Sequence, residues 1–393
     1  MSATSQQDRS SYRVYVDWIR AAAILFGIPF HVGLIYSAGN DWFISNDEKS
    51  LVLTAVTGVL SSARMPLFFA MAGMLTALVL TRKPLLDWLK SRSIRLGVPL
   101  VASTLLLNIP VMVVIALQSA EAGTAASASA AFWALLQSGG NHWVGHLWFL
   151  YVLIWLSLFT SVALKGLLRL QAIVVDRFCD AAGVLRLDAL FKLAGLVAVY
   201  MFAIEAIFFF ALTPESPTAR AVALIKLEPF FEFLPYYLLG FVLYRVVLPP
   251  VHRDLRVLVT AGLAVALYAV VWNMPDMSAK IARYLTGGVS AVLWSAIILS
   301  WAERAWTNKN TRVQRIVDAS FTIYLVHYPI CVVIGYVMTE AQIPIWLGYT
   351  GNIALTFVLS LALHALISRS ALTLFLFNGI TPPGWAARRT TAG

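Results

Sequence analysis

The sequence predicts an all-α integral membrane protein of about ten transmembrane helices, with both termini in the cytoplasm. Three observations carry that prediction: an apolar content that no soluble surface can hide, stretches long enough to cross a bilayer, and basic residues that alternate between successive connecting segments. Of the 393 residues, 60% are apolar and 12% charged, against roughly 45–50% and about 25% in soluble globular domains. With a mean hydropathy of +0.79, soluble, secreted, disordered and disulfide-framework classes are excluded. The net charge of +10 would suit nucleic acid, but basic residues beside apolar spans set topology instead. The partner is the lipid bilayer, and no nucleic acid is expected.

Ten apolar stretches lie near 15–37, 53–81, 96–117, 145–165, 193–212, 230–248, 257–273, 283–303, 317–339 and 346–368. With the N-terminus placed inside, 22 Lys and Arg fall on inside segments. Only Lys49, Arg220, Lys226, Lys280 and Arg283 fall outside, and Arg20 and Arg64 lie within spans. That asymmetry is the positive-inside rule. The resulting organisation is a cytoplasmic segment 1–13, one membrane domain over 14–370, and a cytoplasmic tail 371–393. An Ala/Ser/Gly-rich outside loop is expected near 118–144. The inside loop 165–192 has room for a short amphipathic helix (Val174, Val175, Phe178, Leu185, Leu187). Cys179 and Cys331 fall on a loop and in a span, so no disulfide is expected. Neither an internal repeat nor a separate soluble domain is visible, and subunit number is not readable.

The first span follows thirteen polar residues without an A-x-A-like processing site, and reads as an uncleaved signal anchor. Its polar residues are informative because an ionisable group at a helix centre costs roughly 2.5–3.5 kcal/mol to insert. Arg20 and His31 are eleven residues apart, within about 20° of whole turns, so they share a face about 16 Å apart along the axis. Ile24 and Gly27 lie on that face, and Gly27 leaves room for something to pass. Asp17, three residues before Arg20, can pair with it. One reading is an anion-holding Arg below a histidine base. The other is a snorkelling ion pair and a hydrogen-bonded histidine.

In the second span Arg64 begins Arg64-Met65-Pro66-Leu67-Phe68-Phe69-Ala70-Met71-Ala72-Gly73, too deep to snorkel. It needs Asp17, Glu205, Glu232, Asp318 or a bound anion, as a functional group or as a structural ion pair. The third span follows a basic segment containing Arg92 and Arg95. The fourth opens on Gly145-His146-Leu147-Trp148, where His146 and Trp148 fit either a site or an interfacial aromatic belt. His142, in the preceding loop, is expected to be solvated. Glu205 occupies the fifth span. Glu228 and Glu232 flank the sixth beside Tyr236 and Tyr237, an arrangement suited to sugar hydroxyls and to an interface alike. His252 and His364 lie near the inner face and read as ordinary. In the ninth, Ser320, Tyr324 and His327 fall at i, i+4 and i+7 on one face, as a polar lining or as an interhelical hydrogen-bond network.

No phosphate loop, dinucleotide fingerprint, H-E-x-x-H or G-x-S-x-G occurs, and no cluster has metal-ligand spacing. No metal and no resident cofactor are expected. What remains is acid–base and electrostatic chemistry by His, Arg and carboxylates.

Four motifs, in this order on ten spans, resemble the acyltransferase-3 family of integral membrane O-acyltransferases. They are Asp17, Arg20 and His31; Arg64 to Gly73; His146 to Leu150; and Ser320 to His327. The likeness covers about residues 12–370. Within the family, Gly27 to Ser37 and Phe233 to Gly240 look most like the glucan biosynthesis protein C subgroup, which is associated with succinylation of osmoregulated periplasmic glucans in Gram-negative bacteria. One departure is Ala72, where many members carry Ser.

The resemblance implies a bacterial inner-membrane enzyme using cytoplasmic acyl-CoA (succinyl-CoA) as donor substrate and a periplasmic glucan as acceptor. Arg20, with Arg92 or Arg95, would hold donor phosphates or the carbonyl end. His31 would be the general base, and Arg64 would face the oxyanion or a succinyl carboxylate. Tyr324 and His327 would line the donor tunnel, and Glu232 with Tyr236 would receive the sugar. Acetyl transfer to lipopolysaccharide or exopolysaccharide remains open, as does a ten-helix transporter, although missing repeats argue against the latter.

Overall fold

The computed structural model describes residues 14–39, 42–138, 141–212, 216–306 and 310–381. Among them the chain is helical with no strands; two isolated bridges, Cys179 to Leu185 and Val184 to Val247, close one connecting segment. Eight helical segments are long and apolar enough to cross a membrane: Tyr15–Tyr36, Leu51–Leu80, Leu85–Glu121, Gly145–Phe178, Leu187–Ala211, Met277–Ala305, Val313–Glu340 and Ile345–Ile367. The chain is thus an all-α, multi-pass membrane protein. The sixth and seventh expected spans are helices of 17 residues each, Leu227–Leu243 and Leu255–Val271. At 1.5 Å per residue they reach about 26 Å, short of a core about 30 Å thick.

Prolines divide or bend several of these helices. The first span consists of α1 (Val14–Leu25) and α2 (Gly27–Tyr36), which meet at Phe26. Pro29 has no N–H to give to the Leu25 carbonyl. The bonds from Phe26 N to Ala22 O (2.9 Å) and Phe30 N to Phe26 O (3.3 Å) carry the register across. α3 (Leu51–Leu80) runs unbroken through Pro66, capped by the Ser50 side chain. The third span comprises α4 (Leu85–Leu106) and α5 (Ile109–Glu121), interrupted before Pro110.

The expected outside loop near 118–144 is largely helical instead. α5 continues to Glu121, α6 (Ala128–Ser138) follows, and a four-residue turn of helix, α7 (Asn141–Val144), leads into the fourth span. The alanines allow this because Ala loses no side-chain entropy on entering a helix. α8 (Trp148–Phe178) absorbs Val174, Val175 and Phe178 into the fourth span itself. No separate amphipathic helix forms there, since the buried Val174 and Gln171 keep the extended helix packed.

The chain continues through α9 (Leu187–Ala211), α10 (Pro217–Leu224), α11 (Leu227–Leu243), α12 (Leu255–Val271), α13 (Met277–Ala305), α14 (Thr311–Glu340) and α15 (Ile345–Ile367). The expected tail carries one more short helix, α16 (Ala371–Asn378), which packs on α4. Residues 1–13, the rest of the tail from 382, and the side chain of His142 lie outside the described residues.

α3 and α11 share the most extensive helix–helix contact among the described residues. A Cβ on Gly73 would overlap the carbonyl oxygen of Tyr237, and one on Gly240 would overlap that of Ala70. Only glycine lets two membrane helices approach this closely. Both glycines end motifs that stand out in the sequence, Arg64 to Gly73 and Phe233 to Gly240. Packing between these two helices accounts for both. Around the crossing, Phe69 stacks on Phe233 at 4.7 Å and Phe68 meets Phe149 edge-on at 4.6 Å. Tyr237 Oη lies 2.8 Å from Thr160 Oγ1 on α8.

Candidate active site

A cavity of about 610 Å³ opens between α2, α3, α8, α9, α11, α12, α13 and α14. Seven of the residues given a site role in the sequence line it: His31, Arg64, His146, Trp148, Glu232, Tyr236 and Tyr324. They come from five helices and the short turn before α8, so the tertiary fold converges on them. Asp17, Arg20, Arg92, Arg95, Ser320 and His327 do not line it.

His31, His146 and Arg64 line the cavity, and His327 lies beside the two histidines. The ring of His31 is 5.5 Å from that of His327 and 5.0 Å from that of Tyr328. His146 stacks on Tyr328 at 4.5 Å and lies 5.6 Å from His327. The location of His146 is a consequence of proline chemistry. Pro329 in α14 cannot donate to the carbonyl of Leu325, four residues earlier, and His146 Nε2 lies 3.1 Å from that oxygen. A carbonyl only accepts, so Nε2 carries the proton and Nδ1 is bare. That Nδ1 is buried without a partner. With 5% exposure, His146 belongs to the interior and not to an aromatic belt. Trp148 likewise stacks on Phe233 at 5.4 Å at the cavity wall. The same device recurs in α11, where Pro235 frees the Phe231 carbonyl and Tyr200 Oη donates to it at 2.9 Å.

Arg64 has no carboxylate within ion-pair distance among the described residues, so of the partners that the sequence leaves open, none of the four carboxylates pairs with it. Asp17 pairs with Arg20 at 3.2 Å, and Asp318 accepts from Gln314 at 2.9 Å. Glu205 and Glu232 line the cavity without bonding it. The Arg64 guanidinium carbon lies 4.6 Å above the ring of Phe30, and its Nε is buried without a partner. Two residues on, Pro66 leaves the Ser62 carbonyl without its helical donor, and Ser61 and Ser62 line the cavity too.

Gly27 explains how Arg64 and His327 approach the first span. A Cβ there would lie 3.2 Å from Arg64 Nη1 and 3.3 Å from His327 Nε2. The room that the sequence assigns to something passing is filled by these two side-chain tips.

The cavity is lined as well by Glu205, Glu228, Glu232, Lys226, Arg283 and Tyr284, and by the rings of Tyr236, Tyr268 and Trp272. Arg283 Nη1 donates to the Trp272 carbonyl at 2.9 Å, and Tyr268 Oη lies 3.3 Å from Ser61 Oγ. Tyr268, Trp272, Arg283 and Tyr284 escape the sequence reading. Arg283 registers there only as a topological charge, and the rings look like interface residues. Their shared clue is a cluster of polar aromatics and one Arg around the short 272–277 connection.

Arg20, Arg92 and Arg95 form a second group away from the cavity. The Asp17–Arg20 pair is as the spacing requires, and the three guanidiniums lie within electrostatic range of one another. Arg92 Nε is buried without a partner. Ser320 is buried at 1% and donates to the Val317 carbonyl at 2.7 Å, so it shares a helix face with Tyr324 without reaching the cavity. Tyr324 does reach it, while its hydroxyl donates to the His146 carbonyl at 2.5 Å.

The family model of the type 3 acyltransferase domain matches residues 13–367. The chain is 27% identical over 373 residues to a Glucans biosynthesis protein C of Escherichia coli O139:H28, covering 93% of this chain and 94% of that one. It is 27% identical over 376 residues to the Glucans biosynthesis protein C of Shigella dysenteriae serotype 1, with the same coverage. No solved structure matches. The chain, whose helices gather His31, Arg64, His146 and Tyr324 around one cavity and whose sequence is matched along nearly its whole length, belongs to the acyltransferase-3 family.

Proposed function

We propose that this protein is an O-acyltransferase of the bacterial inner membrane that moves a succinyl group from cytoplasmic succinyl-CoA to hydroxyls of an osmoregulated periplasmic glucan. The observation that carries this reading is that His31 and Arg64 line one cavity together with carboxylates and aromatic rings. The printed name of the relatives supports a glucan acceptor.

Glu232, Tyr236 and Trp272 suit a sugar, because carboxylates accept from its hydroxyls and aromatic faces cover its C–H surface. His31 Nδ1 is buried, which leaves Nε2 as the nitrogen available to the cavity. Nε2 takes the proton of the attacking hydroxyl. The hydroxyl oxygen bonds to the thioester carbon, the C–S bond breaks, and the proton passes from His31 to the departing thiolate. The products are a glucan ester and free CoA thiol. Arg64, with an Nε that no protein group satisfies, stabilises the oxyanion formed on the thioester carbonyl. Arg20, Arg92 and Arg95 form the cationic cluster that receives the donor's phosphates. CoA is a substrate here, and the residues need no resident cofactor for this chemistry.

The test is the mass and charge of periplasmic glucans from cells lacking this protein, complemented with wild type or with His31→Ala at matched protein level. Succinyl additions, each carrying one negative charge, are expected with wild type only. Acetyl additions would replace the donor, unmodified glucans throughout would move the acceptor to another envelope glycan or leave a transporter, and succinylation by His31→Ala would remove the base.

A further inference from the structure

The sequence places His327 among the groups that line a substrate path, but the structure puts it behind His31 instead. Its ring is 2% exposed and does not reach the cavity. Its Nδ1 lies 2.7 Å from the carbonyl of Tyr324 and 3.0 Å from that of Ile323. Both oxygens only accept, so Nδ1 carries the proton in the neutral ring and Nε2 presents a bare lone pair. Nε2 is buried with no hydrogen-bond partner.

The neighbouring ring holds the complementary defect. His31 Nδ1 is also buried with no partner, and the two rings are 5.5 Å apart at an interplanar angle of 41°. Each ring nitrogen lies roughly 1 Å from its own centroid, so the two nitrogens stand about 3.5 Å apart when both are turned onto the line between the rings, and a ring shift of a few tenths of an ångström closes the remaining gap to a hydrogen bond. Two unpaired buried polar atoms side by side are costly when left apart and stabilising when joined. His31 also lacks the carboxylate that usually orients a catalytic imidazole: among the described residues no Asp or Glu stands within ion-pair distance of it.

We infer that His327 is the positioning residue of His31, its bare Nε2 accepting a hydrogen bond from His31 Nδ1–H. The backbone carbonyls of Tyr324 and Ile323 set the tautomer of His327, and His327 in turn sets that of His31. The His31 Nε2 is thereby kept bare and turned to the cavity, as a base acting on a hydroxyl must be. A neutral imidazole does here what a carboxylate does elsewhere, without placing a second charge beside Arg64. The inference rests on the base role proposed for His31.

The decisive measurement on the wild-type protein is the nitrogen-15 spectrum of histidine-labelled protein in bilayers, with the His31 signals identified by their loss in His31→Asn. A protonated, hydrogen-bonded Nδ1 and a bare Nε2 on His31 are expected; the opposite tautomer overturns the inference, whatever the variants do. Steady-state transfer from succinyl-CoA to purified periplasmic glucans in proteoliposomes gives the second readout. His327→Leu should lower kcat about 10–100-fold with KM unchanged. His327→Gln, whose amide oxygen can stand near the place of Nε2, should recover most of kcat. Undiminished kcat in His327→Leu, with His31→Ala inactive, overturns the positioning role alone. Full activity in His31→Ala overturns the base role and the positioning role together.

Discussion

Gly27→Ala separates activity from stability at a single atom. The added Cβ would stand 3.2 Å from Arg64 Nη1 and 3.3 Å from His327 Nε2, whereas unstrained contacts with carbon lie near 3.5–4.0 Å. Each tip must therefore retreat by about 0.3–0.5 Å. The Arg64 tip borders the cavity and can move, but His327 is held from behind by two carbonyls. If a 1 Å misplacement of catalytic groups costs on the order of 100-fold, a shift of this size costs about 4–10-fold in transfer rate. Stability moves little. Gly27 has a helical backbone, so Ala reduces the entropy of the unfolded chain by about 0.4–1 kcal/mol, which offsets part of the contact strain. Initial rates of succinyl transfer in proteoliposomes, read beside thermal unfolding in detergent, check both halves. An unchanged rate at unchanged stability would show that Arg64 and His327 need not approach the first span. Loss of folding and activity together would show that Gly27 serves packing.

Two further outcomes follow from the packing and from the loop thiol. Gly240→Ala, whose Cβ would overlap the Ala70 carbonyl, should destabilise by about 3 kcal/mol, because two backbones must separate; thermal unfolding in detergent should show a much lower midpoint, and an unchanged midpoint would refute the close crossing of α3 and α11. Burial, and secondarily Asp180, push the Cys179 thiol above its ordinary value. A raised value means less thiolate at any given pH, so iodoacetamide labelling should begin only at higher pH than for a free cysteine, and Cys179→Ser should retain transfer. Rapid labelling at neutral pH would contradict the first outcome, and loss of transfer in Cys179→Ser the second.

Much of the helix pattern is legible along the chain because crossing a bilayer demands about 20 apolar residues, and that demand is local. Each of the ten stretches is helical, although the first and third are each divided into two helices and two others are only 17 residues long. The prolines are visible too, but their effect is not local. Pro329 creates an acceptor at Leu325, and only the fold reveals that His146, 179 positions away, fills it. The connection near 118–144 was misread for a related reason. An Ala/Ser-rich segment carries little hydrophobic pattern, and Ala has the highest helix propensity of all.

Taken alone, the sequence determined the class of the molecule and the identity of its costly residues. Arg20, His31, Arg64 and His327 stand out because charge and polarity inside a membrane need a reason, and the Asp17–Arg20 pair follows from helical spacing. Tertiary structure decided which of these residues meet. Arg64 could have been one half of an ion pair, but the fold leaves it unpaired at the cavity with His31 and Tyr324. His327 shares a face with Tyr324, yet it falls behind His31, because where a helix face points depends on which neighbour covers it. Helical periodicity orders residues around one axis; the close crossing at Gly73 and Gly240 and the proline-freed carbonyls decide how the axes come together.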